Sequence, residues 1–335
     1  MAQRISMAHG EGGELTHELI KNVFMKYFHN QTHARLDAAI LPWNSNEIVM
    51  TTDSYVVKPI FFPGGDIGKL AITGTVNDLA VSGAKPVAIT AGFIIEEGFS
   101  IRDLKEIVKS MALEAEHAGV QIIAGDTKVV ERGSADGVFI NTTGIGQLFE
   151  QRLEPDAITE GDTVIISGPV GEHGVAIMSA RKELGLITDM TSDCASLHHF
   201  IEEVVTNVKG VRVMRDPTRG GLATTLVELC EDFRFDLELE ESWIPVPDAV
   251  HGACDILGFD PLYLANEGKV VFIVEAEQAK KMMEVIKSHP LGASAQVIGR
   301  VKSCDNASGK LYLKTPIGTT RRLFRLSGML LPRIC

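Results

Sequence analysis

Apolar residues along this chain follow two patterns: repeats of roughly 3.6 residues, which mark helices, and short runs bounded by glycine or acid, which mark strands. Leu15, Leu19, Ile20, Val23, Phe24, Tyr27 and Phe28 share one helical face, with Thr16 placed to cap it. A strand is predicted over 47–52, running into Asp53, then a turn at Gly64-Gly65-Asp66 and a helix from Ile67 to Gly83. Residues 87–95 read as a strand. Ser100 and Asp103 form a capping pattern for a helix over 101–117 that stops at Gly119. Short apolar runs predict strands at 120–124 and 138–147.

Pro, Asp, Glu and Gly cluster at 155–162, where the pattern breaks. Strands are predicted beyond it at 163–167, 211–215, 235–239, 270–275 and 295–301. Helices are predicted at 173–184, 196–208, 221–232, 248–257 and 277–288. Each half mixes the two element types, so the expected fold class is α+β in two domains, 1–154 and 155–325, followed by a mobile tail over 326–335. The 335-residue length fits two domains of ordinary size.

Charge refines this picture. The chain carries 32 basic and 44 acidic residues, a net −12, which argues against a nucleic-acid partner. Yet Lys310, Lys314, Arg321, Arg322, Arg325 and Arg333 lie in a final stretch, 306–335, that has no acid. Either this is a solvated edge strand, or it is drawn to the anionic body or to bound phosphates. No apolar run is long enough to span a bilayer and no apolar signal core precedes Leu15, so a cytoplasmic protein without a membrane partner is expected. The five cysteines are odd in number and widely spaced, against disulfides or zinc knuckles. Cys194, Cys230, Cys254 and Cys304 are expected to be inert. Cys335 is the last residue.

Three groupings point to chemistry. Asp53, Asp66, Asp78, Asp126 and Asp216 each end an apolar run or adjoin glycine. Carboxylates so placed either converge on one sheet edge, where Mg²⁺ takes hard oxygens, or simply cap helices and start turns. Asp216-Pro217-Thr218-Arg219-Gly220-Gly221 precedes a helix, where paired glycines admit a ligand or make an ordinary strand-to-helix turn. Leu330-Leu331-Pro332-Arg333-Ile334-Cys335 ends in a thiol on a short arm, either a travelling nucleophile or an incidental cysteine. Prenylation is excluded, since it needs the cysteine four from the end.

Together with His9-Gly10-Glu11-Gly12-Gly13, Gly74-Thr75-Val76-Asn77-Asp78, Gly125-Asp126-Thr127-Lys128 and Asn266-Glu267-Gly268, these segments resemble the HypE family of hydrogenase maturation factors. That family belongs to the superfamily of aminoimidazole ribonucleotide synthetase and selenophosphate synthetase. The Pro-Arg-Ile-Cys ending points to HypE within it. The selenophosphate synthetase alternative lacks its cysteine and lysine beside the N-terminal glycines.

The resemblance implies a PurM-like architecture, a homodimer pairing its N-terminal sheets, and ATP near that interface. It implies ATP-dependent dehydration of an S-carbamoyl group on the terminal cysteine to a thiocyanate. HypF would be the carbamoyl donor and the HypC–HypD complex the cyanide acceptor. On this likeness Cys335 carries the substrate, Lys128 stabilises the phosphorylated oxygen and Glu267 is the general base. Asp53, Asp66, Asp78 and Asp216 would hold Mg²⁺, and Asn77, Asp126, Gly220 and Gly221 would approach the nucleotide. Two other readings compete: a sister enzyme acting on a free small molecule, and a non-catalytic adaptor docking through its tail.

Overall fold

The computed structural model describes residues 13–19, 21–22, 38–43, 46–181, 185–186, 188–303, 309–327 and 334–335. The glycine-rich segment 9–12, most of the helix expected over 15–28, Cys304 and Pro332-Arg333 lie outside them.

In chain order the described elements are α1 (Glu14–Leu19), β1 (Ala39–Trp43), β2 (Asn46–Tyr55), β3 (Phe61–Phe62), β4 (Gly65–Asp66), α2 (Ile67–Val81), β5 (Ala84–Glu96), α3 (Ile101–His117), β6 (Gln121–Val130) and β7 (Val138–Leu148). There follow β8 (Thr163–Ile166), α4 (Glu172–Ala180), α5 (His198–Asn207), β9 (Val211–Arg215), α6 (Gly221–Phe233), β10 (Asp236–Glu240), α7 (Asp248–Leu257), β11 (Val271–Val274), α8 (Ala279–Ser288), β12 (Gln296–Lys302), β13 (Leu311–Lys314) and β14 (Thr320–Leu323).

The first sheet has the order β1-β2-β7-β5-β6, antiparallel except for the β5–β6 pair. The second has seven strands in the order β14-β13-β10-β12-β8-β11-β9, of which only β10 and β13 run parallel. The α+β class in two layered units is as expected. Strands β1, β13 and β14 were not among the predicted elements, although β13 places Leu311 and Leu313 alternately in the core. The strand expected over 120–124 continues to Val130, so Asp126 and Lys128 lie within β6 rather than in a loop after it.

Ser100 accepts the Asp103 N–H and starts α3, whose buried stripe is Ile107, Met111 and Ala115. Helix α2 is different. It is buried on nearly every side, against β2, β7 and β5 of the first sheet, against α3, and against α5 of the second half. A helix apolar all round belongs inside a protein. Small residues permit its close approach: a Cβ on Gly74 would lie 2.4 Å from the Tyr55 hydroxyl. Among the described residues no helix is long and apolar enough to cross a membrane.

His198, at the start of α5, is buried, and neither ring nitrogen has a hydrogen-bond partner among the described residues. Burial, then His199 and Lys85, push its pKa down to about 4, against the opposing pull of Glu202. The folded chain therefore keeps this imidazole neutral while the unfolded chain protonates it from about pH 6.5 downward. Stability falls as pH drops from there toward 4. His198→Phe is expected to reduce the loss between pH 7 and pH 5 by roughly 1 kcal/mol, read from urea midpoints at the two pH values.

Candidate active site

One cavity of about 310 Å³ lies where the two halves meet. Thr51, Thr52, Asp53 and Tyr55 come from the end of β2, and Gly74 and Asp78 from α2. Arg215, Asp216, Thr218 and Arg219 come from the end of β9 and the turn after it. Thr225 and Glu228 come from α6, and Thr16 and His17 from α1. Glu267 and Cys335 complete the lining.

Of the predicted acids, Asp53, Asp78, Asp216 and Glu267 are thus brought together with the terminal cysteine. Thr51 donates to Asp78 at 2.8 Å. Arg219 lies 3.8 Å from Asp53, and the negative charge at Cys335, then Asp53, Glu267 and Asp78, hold its guanidinium firmly charged against burial. Glu267 is buried, with one carboxylate oxygen lacking a hydrogen-bond partner among the described residues. Burial, then Asp216, Asp193 and Asp53, push its pKa well above the usual range, with Arg219 opposing.

Other predicted residues are placed differently. Asp66 caps α2, its carboxylate accepting from Gly68 N at 2.7 Å and Lys69 N at 3.1 Å, so the capping alternative holds there and it does not line the cavity. Asn77 is buried, donating to Ala195 O (3.0 Å) and Glu267 O (3.5 Å) and accepting from Leu197 N (2.7 Å). It stitches α2 to the second half. Gly220 and Gly221 have φ of +77° and +64°. A Cβ on Gly221 would lie 2.5 Å from Leu262 O, so the chain's own backbone occupies the space. Their neighbours Thr218 and Arg219 face the cavity. Asp126 and Lys128 pair with each other at 3.6 Å on exposed β6, each about three-quarters exposed, away from this chain's own cavity.

The cationic stretch is held to the acidic body rather than free for phosphate. Arg321 pairs with Asp260 at 2.9 Å, Lys314 with Glu240 at 2.8 Å, and Arg322 lies over the Phe324 ring. Arg325 is buried between Glu228 (3.1 Å) and Glu231 (2.7 Å). Cys335 itself lines the cavity, an oxygen of its terminal carboxylate accepting from Val56 N at 3.4 Å. Cys194, Cys230 and Cys254 are buried thiols. Burial raises Cys194 strongly and pushes Cys254 up to about 11, so both stay protonated and inert.

Several working residues were missed. Arg219 sat inside a quoted motif without a role. Asp193 accepts the N–H groups of Glu267 (3.0 Å) and Gly268 (3.3 Å), and Lys269 bridges it (3.2 Å) to Glu172 (3.0 Å). A lysine directly before the buried run Val270–Val274 was the available signal for that network. Asn266, wholly buried, ties Pro217 O to Gly171 N and so fixes the turn after Asp216.

Two family models match: the AIR synthase related protein N-terminal domain over 35–148 and its C-terminal domain over 159–311. The chain is 47% identical to carbamoyl dehydratase HypE of Cupriavidus necator, over 99% of this chain and 95% of that one. It is 43% identical to HypE of Escherichia coli K12, over 99% of each. Among solved structures it resembles a HypE–HypF complex (TM-score 0.86, 49% identity, 92% of this chain and 99% of that one) and HypE in complex with ATP (0.82, 44%, 99% and 100%). Thiamine monophosphate kinase of Aquifex aeolicus shares the fold at 15% identity (0.68, 90% and 100%).

Asn77 and Asp78 adjoin in sequence but serve separate ends. Asn77→Ala leaves a buried N–H and carbonyl unpaired and is expected to cost about 2–3 kcal/mol in chemical denaturation. Asp78→Asn keeps an acceptor for Thr51 and is expected to stay within about 1 kcal/mol of the unaltered chain.

Proposed function

This chain belongs to the AIR synthase-related family and, within it, to the HypE carbamoyl dehydratases, and we propose that its substrate is a carbamoyl group carried on its own Cys335. The observation that carries this reading is the docking of the terminal cysteine in the cavity that also holds Asp53, Asp78, Asp216, Arg219 and Glu267. A thiol carrier tied into such a set is suited to chemistry on the sulfur's substituent, and neither an enzyme of free small molecules nor a bare adaptor needs it there.

An amide oxygen is a poor leaving group. Its attack on the γ-phosphorus of ATP releases ADP and converts that oxygen to a phosphate ester. Cleavage of the C–O bond then expels phosphate, and loss of the two N–H protons leaves the thiocyanate. The atoms of one water are removed. Phosphoryl transfer depends on positioning and charge neutralisation more than on covalent help. Arg219 and Arg215 are cations of this chain that line the cavity and can meet the phosphoryl charge. Glu267 takes an amide proton, and its raised pKa suits it to retain that proton.

The donor set fits Mg²⁺. Asp53, Asp78 and Asp216 offer hard oxygens around one space, and the buried, unpartnered Glu267 oxygen faces the same acidic group. Mg²⁺ is usually held by one or two carboxylates together with substrate phosphates, and these aspartates could supply the carboxylates. Bound there, Mg²⁺ would neutralise phosphate charge. Asp66 is withdrawn from this set by its capping role.

The exposed strand β6, with Ile122, Ile123 and Val129 uncovered, supports a homodimer through the first sheets. Lys128 and Asp126 would then act at the cavity of the second subunit. HypF, found with the relative above, is the proposed carbamoyl donor, and the HypC–HypD complex the proposed acceptor of the cyano group, all within the cytoplasm.

Intact mass of the carbamoylated chain given Mg-ATP is expected to fall by one water, and persistence of the carbamoyl mass overturns the reading. Cys335→Ala is expected to abolish the modification while ATP still binds. Lys128→Ala and Cys335→Ala chains, each inactive alone, are expected to recover turnover when mixed and allowed to exchange subunits.

A further inference from the structure

His173, in the first turn of α4, is wholly buried and uses both ring nitrogens. Nε2 lies 2.7 Å from the Ile334 carbonyl oxygen and Nδ1 2.8 Å from Ser192 Oγ. A carbonyl only accepts, so Nε2 carries the hydrogen. The Ser192 hydroxyl already accepts from Cys194 N at 3.0 Å, which leaves its own hydrogen for Nδ1. The pattern defines one neutral tautomer, and burial disfavours a charged ring.

The mount is rigid. Ser192 N donates to Pro63 O at 2.8 Å, and the Phe62 ring meets the imidazole edge-on at 5.6 Å. Both halves of the protein therefore hold this histidine. On the tail side, the Ile334 side chain is 7% exposed and belongs to the same apolar cluster as Tyr55 and Val57. The described grip on residue 334 is a backbone carbonyl and an aliphatic side chain. Neither involves the sulfur of Cys335.

We propose that His173 is a positioning residue: its Nε2–H fastens the Ile334 carbonyl and so sets where Cys335 presents its sulfur-borne group to the cavity. The latch does not read the sulfur, so it holds the free, carbamoylated and cyanated ends alike. Its part in turnover rests on the carrier role assigned to Cys335 above. Its hold on the tail does not.

Two rates on the full chain test this. Alkylation of Cys335 by iodoacetamide, followed on the C-terminal peptide by mass spectrometry, reports escape of the end. Single-turnover dehydration of the carbamoylated chain reports its presentation. Loss of the hydrogen bond in His173→Leu is expected to raise alkylation about tenfold and slow dehydration about tenfold. ATP affinity is expected to stay the same. His173→Gln, whose amide can still donate to the carbonyl, is expected to restore most of both. Ile334→Ala, which alters only the tail, is expected to shift both rates in the same directions as His173→Leu. Equal alkylation in all variants, both rates falling together, or glutamine performing no better than leucine overturns the proposal. Faster alkylation in a chain whose unaltered form does not dehydrate supports the latch and defeats the carrier reading instead.

Discussion

A helix that presents a carboxylate to a working cavity yet has almost no solvent face must satisfy every other polar group it carries from within. Helix α2 is under that constraint, and Asn77 is where it is met. Its amide takes up Ala195 O, Leu197 N and Glu267 O in the other half of the protein. Those bonds fix α2 against the segment bearing Glu267, so Asp78 and Glu267 enter one cavity from opposite halves. An apolar residue at 77 would leave three backbone groups of the second half without these partners, in a place water does not readily reach. The site's geometry thus depends on a side chain that faces no ligand.

The acids around the cavity repel one another, and their arrangement persists because each is held from behind. Asp193 takes two backbone N–H groups at Glu267-Gly268, and its own charge is met by Lys269, which also reaches Glu172. A buried ion network of this kind is weak evidence for stability, since desolvation offsets much of the attraction. Its value is positional. The backbone at Glu267 is clamped while one oxygen of the side chain has no partner among the described residues, which suits the proton-accepting role proposed for it. Arg325 works similarly at the rim, where Glu228 and Glu231 receive its guanidinium. The segment leading to the tail is thereby moored before the final residues reach inward.

Local chemistry was legible in the sequence wherever it depended on neighbours along the chain. The helix over 101–117, with its serine cap and Gly119 stop, matches the structure, as do the strand at 211–215 and the helix at 248–257. The strand-end carboxylates Asp53 and Asp216 do come to one cavity. Asp66 shares the same local pattern because an N-cap and a metal ligand want the same residue type beside glycine. The bonds of Asn77 were not legible for a different reason: its partners lie 118 to 190 positions away. His173 and Ile334 are 161 apart, and nothing near either announces the other. The basic stretch was readable as charge but not as pairing, since Asp260, Glu228 and Glu231 approach it only through the folded sheet and helices.

The last two residues, Ile334 and Cys335, are held by a few short-range contacts that docking entropy opposes. Burying the Ile334 side chain contributes roughly 2 kcal/mol, and the bonds from His173 and Val56 about 1 kcal/mol each at most. Against this, ordering two residues costs about 1–2 kcal/mol each, with somewhat under 1 kcal/mol more for the isoleucine side chain. Before the attraction between Arg219 and the charge at Cys335 is added, these contributions roughly cancel. On the carrier reading proposed for Cys335, a terminus that enters this cavity and also meets another protein needs a seat from which it can depart. The histidine's bond to the Ile334 carbonyl acts beside the charge of the last residue, which faces Arg219. A neutral bond adds about the free energy that the entropy removes, and it is unchanged by what the sulfur carries.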